Sequence, residues 1–187
     1  GPTLGCGIPA YINGGKLVLP YCYTGYDILD NGPLRFTVCL EYGKNADGVV
    51  EHRVISLDKG SHFNKIKVWY DDMNTPTTFC AGVVLNGKET EATGSNWVAY
   101  ADPTDRPDVH GSEIYVAVLF PNNNVKTGRT PDDRNLVEMI EDYRGEPVTY
   151  FAGAGWSRYD VPNFTIWKQL VTDFMNNVKQ PLSVNIK

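Results

Sequence analysis

The sequence has no surplus of positive charge, no long apolar run, few histidines and none of the short motifs by which many enzymes declare themselves. Its 17 Lys and Arg stand against 22 Asp and Glu, for a net charge of −5. The basic residues are scattered rather than gathered into a stripe, which excludes a nucleic-acid partner held through its phosphates. Apolar runs such as Tyr115 to Phe120 have the length of a strand and fall far short of a bilayer-spanning helix, so no membrane partner is expected. No nucleophile elbow, phosphate loop, metal-binding helix or dinucleotide fingerprint occurs. The four cysteines, Cys6, Cys22, Cys39 and Cys80, lack C-x-x-C spacing and have no histidine in ligand register. Neither a metal nor a cofactor is therefore expected. Cys39 and Cys80 sit within strand-like patterns and read as small buried hydrophobes, while the pairing of the four is left open.

What is present is ordinary for a folded domain: 42% hydrophobic and 21% charged residues in a chain of 187, enough for one sizeable core and too apolar for disorder. We read residues 1–187 as a single domain. The opening Gly1-Pro2-Thr3-Leu4-Gly5-Cys6-Gly7 reads like the middle of a longer protein.

Period-2 alternation dominates the first two thirds. Leu34, Phe36, Val38 and Leu40 fall on one face of an expected strand over 34–42, and His62 to Tyr70 is rich in β-branched and aromatic residues. Further strands are expected at Lys16 to Leu19, Val49 to Leu57, Phe79 to Leu85, Trp97 to Ala101, Glu113 to Phe120 and Val148 to Phe151. Turn residues separate them, as in Asn13-Gly14-Gly15, Asp30-Asn31-Gly32-Pro33 and Asp58-Lys59-Gly60. Strands at this spacing with no helices between them predict a mainly β fold, an antiparallel β-sandwich. One amphipathic helix is expected at about 164–178, where Ile166, Trp167, Leu170, Val171, Phe174, Met175 and Val178 form an apolar stripe behind an Asn163 cap. Leu182 to Ile186 alternates again and predicts a last strand. The stretch from Pro121 to Arg134 is the longest polar connection.

Chemistry has to come from scattered candidates. Of the three histidines, His110 stands at a loop-to-strand junction between Asp108 and Glu113, and either carboxylate could orient it for proton transfer. His52 and His62 read as surface residues of strands. Eleven Tyr and four Trp exceed what one core needs, because buried hydroxyl and indole groups require polar partners. Trp97, Tyr100, Trp156 and Tyr159 lie beside turns, and rings there suit the apolar face of a sugar. The expected site is thus His110 with Glu113 and Asp108, edged by Trp97, Tyr100, Trp156 and Arg158.

Three blocks carry a resemblance: Tyr26-Asp27-Ile28-Leu29-Asp30-Asn31-Gly32-Pro33-Leu34-Arg35, Ile55-Ser56-Leu57-Asp58-Lys59-Gly60-Ser61, and Pro147 to Ser157 with its Gly153-Ala154-Gly155-Trp156 core. In this order they resemble the domain-of-unknown-function family 4861, whose members occur beside polysaccharide lyases and glycoside hydrolases in bacterial glycan-degradation gene sets. The resemblance implies a sandwich of mutarotase-like, supersandwich style and a periplasmic or secreted setting. It also implies that this chain is the C-terminal half of a full member, so that the missing N-terminal half or a second copy of the chain is an expected partner. It brings no catalytic residues with it.

Two functions follow as expectations. One is a carbohydrate-active enzyme, lyase-, dehydratase- or epimerase-like, acting on acidic or unsaturated oligosaccharides, with Arg35, Arg53, Arg106, Arg129 and Arg158 as the available cations. The other is a non-catalytic domain, either binding an oligosaccharide or polysaccharide on aromatic platforms or packing structurally on the missing half.

Overall fold

In the computed structural model the described residues are 3–87, 90–121 and 123–183. Turn chemistry sets the strand boundaries. The strands in chain order are β1 (Ala10–Asn13), β2 (Lys16–Val18), β3 (Gly25–Asn31), β4 (Arg35–Glu41), β5 (Val50–Asp58), β6 (Phe63–Asp71), β7 (Thr77–Val84), β8 (Glu91–Gly94), β9 (Trp97–Asp102), β10 (Ile114–Leu119), β11 (Lys126–Arg129), β12 (Asn135–Tyr143) and β13 (Val148–Trp156). A 3₁₀ turn at Pro103–Asp105 and a one-turn helix α1 (Pro107–His110) precede β10, and α2 spans Phe164–Lys179.

These strands form two antiparallel sheets, one of five strands in the order β11-β12-β7-β1-β2 and one of eight in the order β3-β4-β5-β6-β13-β10-β9-β8. The expected antiparallel sandwich with one C-terminal helix is what the chain adopts. Between the sheets, Phe79, Ala81 and Val83 of β7 meet Val116 and Val118 of β10 and Tyr150 and Ala152 of β13. The rings of Phe120 and Tyr150 stack here at 5.0 Å. A second core lies on the opposite face of the eight-stranded sheet, where Trp167, Val171 and Met175 of α2 cover Phe63, Tyr115, Ala117 and Phe151. The molecule is therefore sheet, sheet and helix, with the larger sheet in the middle.

The helix runs one residue beyond the expected 164–178, and Asn163 caps it by accepting from the amide of Ile166 at 2.9 Å. Several strands were not legible. β1, β3, β8 and β12 lie outside the segments read as strands, and the long polar connection after Pro121 contains β11. Of the last expected strand, residues 182–183 are irregular, and the rest lies outside the described residues. All four cysteines are free thiols; Cys80 is buried and Cys22 exposed.

Five strands cannot cover eight. Register places Ile28 beside Val38, Val38 beside Ile55 and Ile55 beside Ile66, and Ile66 belongs to the inter-sheet core. Successive side chains alternate between faces, so Tyr26, Ile28, Phe36 and Leu57 share the core-facing side of the large sheet. They are nevertheless exposed, because among the described residues no strand of the small sheet lies over β3, β4 and the end of β5. This uncovered ledge is the dominant asymmetry of the fold. The small sheet ends against it at the segment Cys6–Ile8. There Gly7 sits at φ +82°, so close to β13 that a Cβ would lie 2.2 Å from that of Ala152, and its carbonyl accepts from Tyr150 Oη at 2.6 Å.

Candidate functional site

A concavity opens where the C-terminal end of β13 meets the β5–β6 turn and the loop before β10. Gly60, at φ +80°, closes the β5–β6 turn, and Ser61 accepts from the amide of Phe63 at 3.0 Å, which presents His62 beside the turn. On the other side, the Ser157 amide donates to the Glu113 carbonyl at 3.0 Å while Ser157 Oγ accepts from the Glu113 amide at 2.8 Å. This reciprocal pair locks the chain after β13 to the start of β10. The resulting cleft is about 660 Å³ and is lined by Gly60, Ser61, His62, Asp105, Ile114, Ala154, Gly155, Trp156, Tyr159 and Asp160. That volume suits a small polar ligand such as one or two sugar rings. Gly155 is required here: a Cβ would sit 2.6 Å from Val161 and 3.2 Å from Trp167, pushing the helix off the sheet.

The chemistry of the cleft centres on Asp105. Ser112 Oγ and Trp156 Nε1 both donate to its Oδ2, the indole at 2.9 Å. The Ser112 bond first, and the Trp156 bond second, hold this carboxylate below its ordinary range. Neither bond uses Oδ1. The indole of Trp156 is thereby fixed by its N–H while its ring stays 44% exposed; Tyr159 is 84% exposed. Opposite them, His62 Nε2 lies 3.2 Å from Asp160 Oδ2, and the imidazole edge packs on Trp167 with ring centroids 5.9 Å apart. Two oriented carboxylates, an imidazole and two open rings thus share one cleft.

The expected site is brought together only in part. Trp156 lines the cleft, and the loop before His110 supplies Asp105. His110 itself is exposed at the end of α1, near the cleft but outside its lining. It is not paired with either proposed orienting group: the Glu113 carboxylate accepts from Tyr115 Oη at 2.8 Å, and Asp108 lies 3.5 Å from Arg106. Arg158 donates to the His110 carbonyl rather than reaching the cleft. Two placements correct the sequence reading. Tyr100 is fully buried in the inter-sheet core, where its hydroxyl accepts from the Asn86 amide at 2.8 Å. Trp97 packs at the edge of the core under α2. Both lie on β9, whose two faces pack on the small sheet and on the helix, and neither lines the cleft beside Trp156.

The five arginines considered for an acidic substrate do not converge. Arg35 donates to Asp58 at 2.9 Å, Arg53 to Glu51 at 2.7 Å and Arg129 to Glu91 at 2.6 Å. Arg106 and Arg158 are engaged as described above. Sequence reasoning also passed over His62, Asp105 and Asp160. His62 reads as one more strand residue, and what brings it to Asp160 is a contact across nearly a hundred residues. The usable signal was local: Trp156 and Tyr159 close together, just before the helix.

A family model described as a domain of unknown function (DUF4861) matches residues 1–184. No curated protein matches the sequence. Among solved structures, a chain described as a kojibiose phosphorylase from the human microbiome superposes with a TM-score of 0.51 at 9% identity, over 96% of this chain. The chain spans about a quarter of that protein, 26% of its length. At such low identity the likeness is one of fold.

Proposed function

The chain belongs to the DUF4861 family, and on that footing we propose that it is a carbohydrate-active domain whose sugar site is the cleft beside Trp156. One observation carries the reading: an exposed indole is locked in place by its own bond to Asp105, within a cleft that also holds Tyr159 and the His62–Asp160 pair. A pyranose has one apolar face and a rim of hydroxyls. The rings meet the first need, and the carboxylates, as acceptors, meet the second. The paired arginines favour a neutral sugar over an acidic one. The periplasmic or secreted, glycan-degrading setting rests on the family resemblance.

The test is calorimetric titration with kojibiose and with neutral and acidic disaccharides, using wild type and Trp156→Ala. Binding of at least one neutral sugar, weakened about tenfold or more in the variant, is the expected result. Equal titrations of the two proteins would remove the cleft as the site.

A second reading, catalysis, is favoured by the His62–Asp160 pair. A carboxylate beside an imidazole fixes its tautomer and orientation, as lyase-, dehydratase- or epimerase-like proton transfer requires. His62→Gln should then abolish turnover while binding survives, and His110→Ala, at the rim, tests the alternative histidine. A domain that binds but turns over nothing is the non-catalytic form of the same proposal.

A further inference from the structure

We infer that the cleft is one end of a longer groove, built by the mismatch between the two sheets, and that its ligand is a neutral oligosaccharide of several units. This rests on the proposed sugar site and extends it. Ala154, exposed near the end of β13, lines the cleft and also a second concavity of about 380 Å³. That second space has Asn64 and Ile55 on its floor and the Cys6–Ile8 segment as its wall. Ile8 and Arg53 then line a third space of about 330 Å³, which ends at Tyr21 and Tyr42. The three concavities therefore follow the line where the small sheet stops and the ledge begins. They run over β13, β6 and β5 on the core-facing side of the large sheet.

The character of the groove selects the ligand. Aromatic rings stand at both ends, Trp156 and Tyr159 at one and Tyr21 and Tyr42 at the other, with the Asn64 amide between them. A peptide would bring backbone amides that need a strand edge, and the floor is the face of a sheet rather than its edge. An anionic polymer would meet Asp105 and Asp160 at one end. It would gain little from Arg53 at the other, since Glu51 holds that guanidinium and Tyr42 covers it at 5.0 Å. A neutral glycan is a flexible chain of apolar faces and hydroxyls, and it fits all three spaces.

The experiment titrates the protein with cello-, xylo- and manno-oligosaccharides and with oligogalacturonides, each as mono-, di-, tetra- and hexasaccharide. For one neutral series the affinity should rise about tenfold or more from disaccharide to hexasaccharide, and Tyr21→Ala should take away most of that gain. Tyr21 is 73% exposed, so its loss leaves the fold intact. Hexasaccharides binding no tighter than disaccharides would overturn the groove and leave the cleft standing. A gain with length that Tyr21→Ala does not reduce would overturn the assigned path. Tighter binding of oligogalacturonides would overturn neutrality. Failure of every saccharide to bind would overturn the groove and the proposed sugar site together.

Discussion

Glu138 is the most unusual single residue in the molecule. It is fully buried, and it faces the inter-sheet core, because β12 sets Leu136 opposite Val83 and Glu138 opposite Ala81. Among the described residues its hydrogen-bond donor is Thr127 Oγ1, at 2.9 and 3.0 Å from the two carboxylate oxygens. Burial pushes its pKa up to about 7 from an ordinary 4.5, and the Thr127 bond offsets only part of that. The folded protein therefore binds this proton more tightly than the unfolded chain. The stability it contributes is full below about pH 4.5 and is lost as pH rises through about 7, in total about 3 kcal/mol. Glu138→Gln should flatten the pH dependence of urea unfolding between those limits. A variant whose curve parallels wild type across that window would show that Glu138 is ionised in the fold.

The legibility of the site was also decided residue by residue. Trp156 could be singled out because an indole next to a turn is conspicuous in any strand pattern. His62 could not, because alternation makes it one more polar position on a strand, and its partner Asp160 becomes visible only once β6 and β13 are paired. Tyr100 misled for the opposite reason. A tyrosine beside a turn signals the surface, yet here its hydroxyl finds a backbone amide and the ring stays inside.

Among the elements, α2 was legible almost to the residue, since a period of 3.6, an Asn cap and a following Pro are all local signals. Its stripe is core: Trp167 is completely buried, stacks on Phe63 at 5.3 Å and donates to the Val116 carbonyl at 3.2 Å. Trp167→Ala should cost about 3 to 5 kcal/mol in a denaturant melt, and Asn163→Ala about 1 kcal/mol through the lost cap. A loss of under about half a kcal/mol for Trp167→Ala would mean that the helix does not pack on the sheet. The strands that escaped sequence reading are mostly short or at an edge. β8 and β11 are four-residue edge strands, and β3 is an edge strand exposed along almost its whole length. Without burial on one face, alternation has no reason to appear.

At the scale of the whole molecule, the unequal sheets explain both the groove and the ledge beside it. The clean alternation of Leu34, Phe36, Val38 and Leu40 reads in sequence as the mark of a buried face, and the fold leaves Leu34 and Phe36 open. Ile28→Asp with Leu57→Asp should therefore change the unfolding free energy by under about 1 kcal/mol and reduce binding of a hydrophobic dye. A loss of several kcal/mol would show that the ledge is covered in solution.

The sugar site itself is tested most directly by the indole N–H resonances. The sequence has four tryptophans. Trp156 donates to Asp105 at the cleft, while Trp167 donates to a buried carbonyl beneath the helix. Titration of nitrogen-15-labelled protein with the neutral oligosaccharide series should shift the Trp156 resonance in proportion to occupancy and leave that of Trp167 in place. If binding occurs and the Trp156 resonance stays fixed, or if no saccharide moves it, the cleft beside Trp156 is not a sugar site.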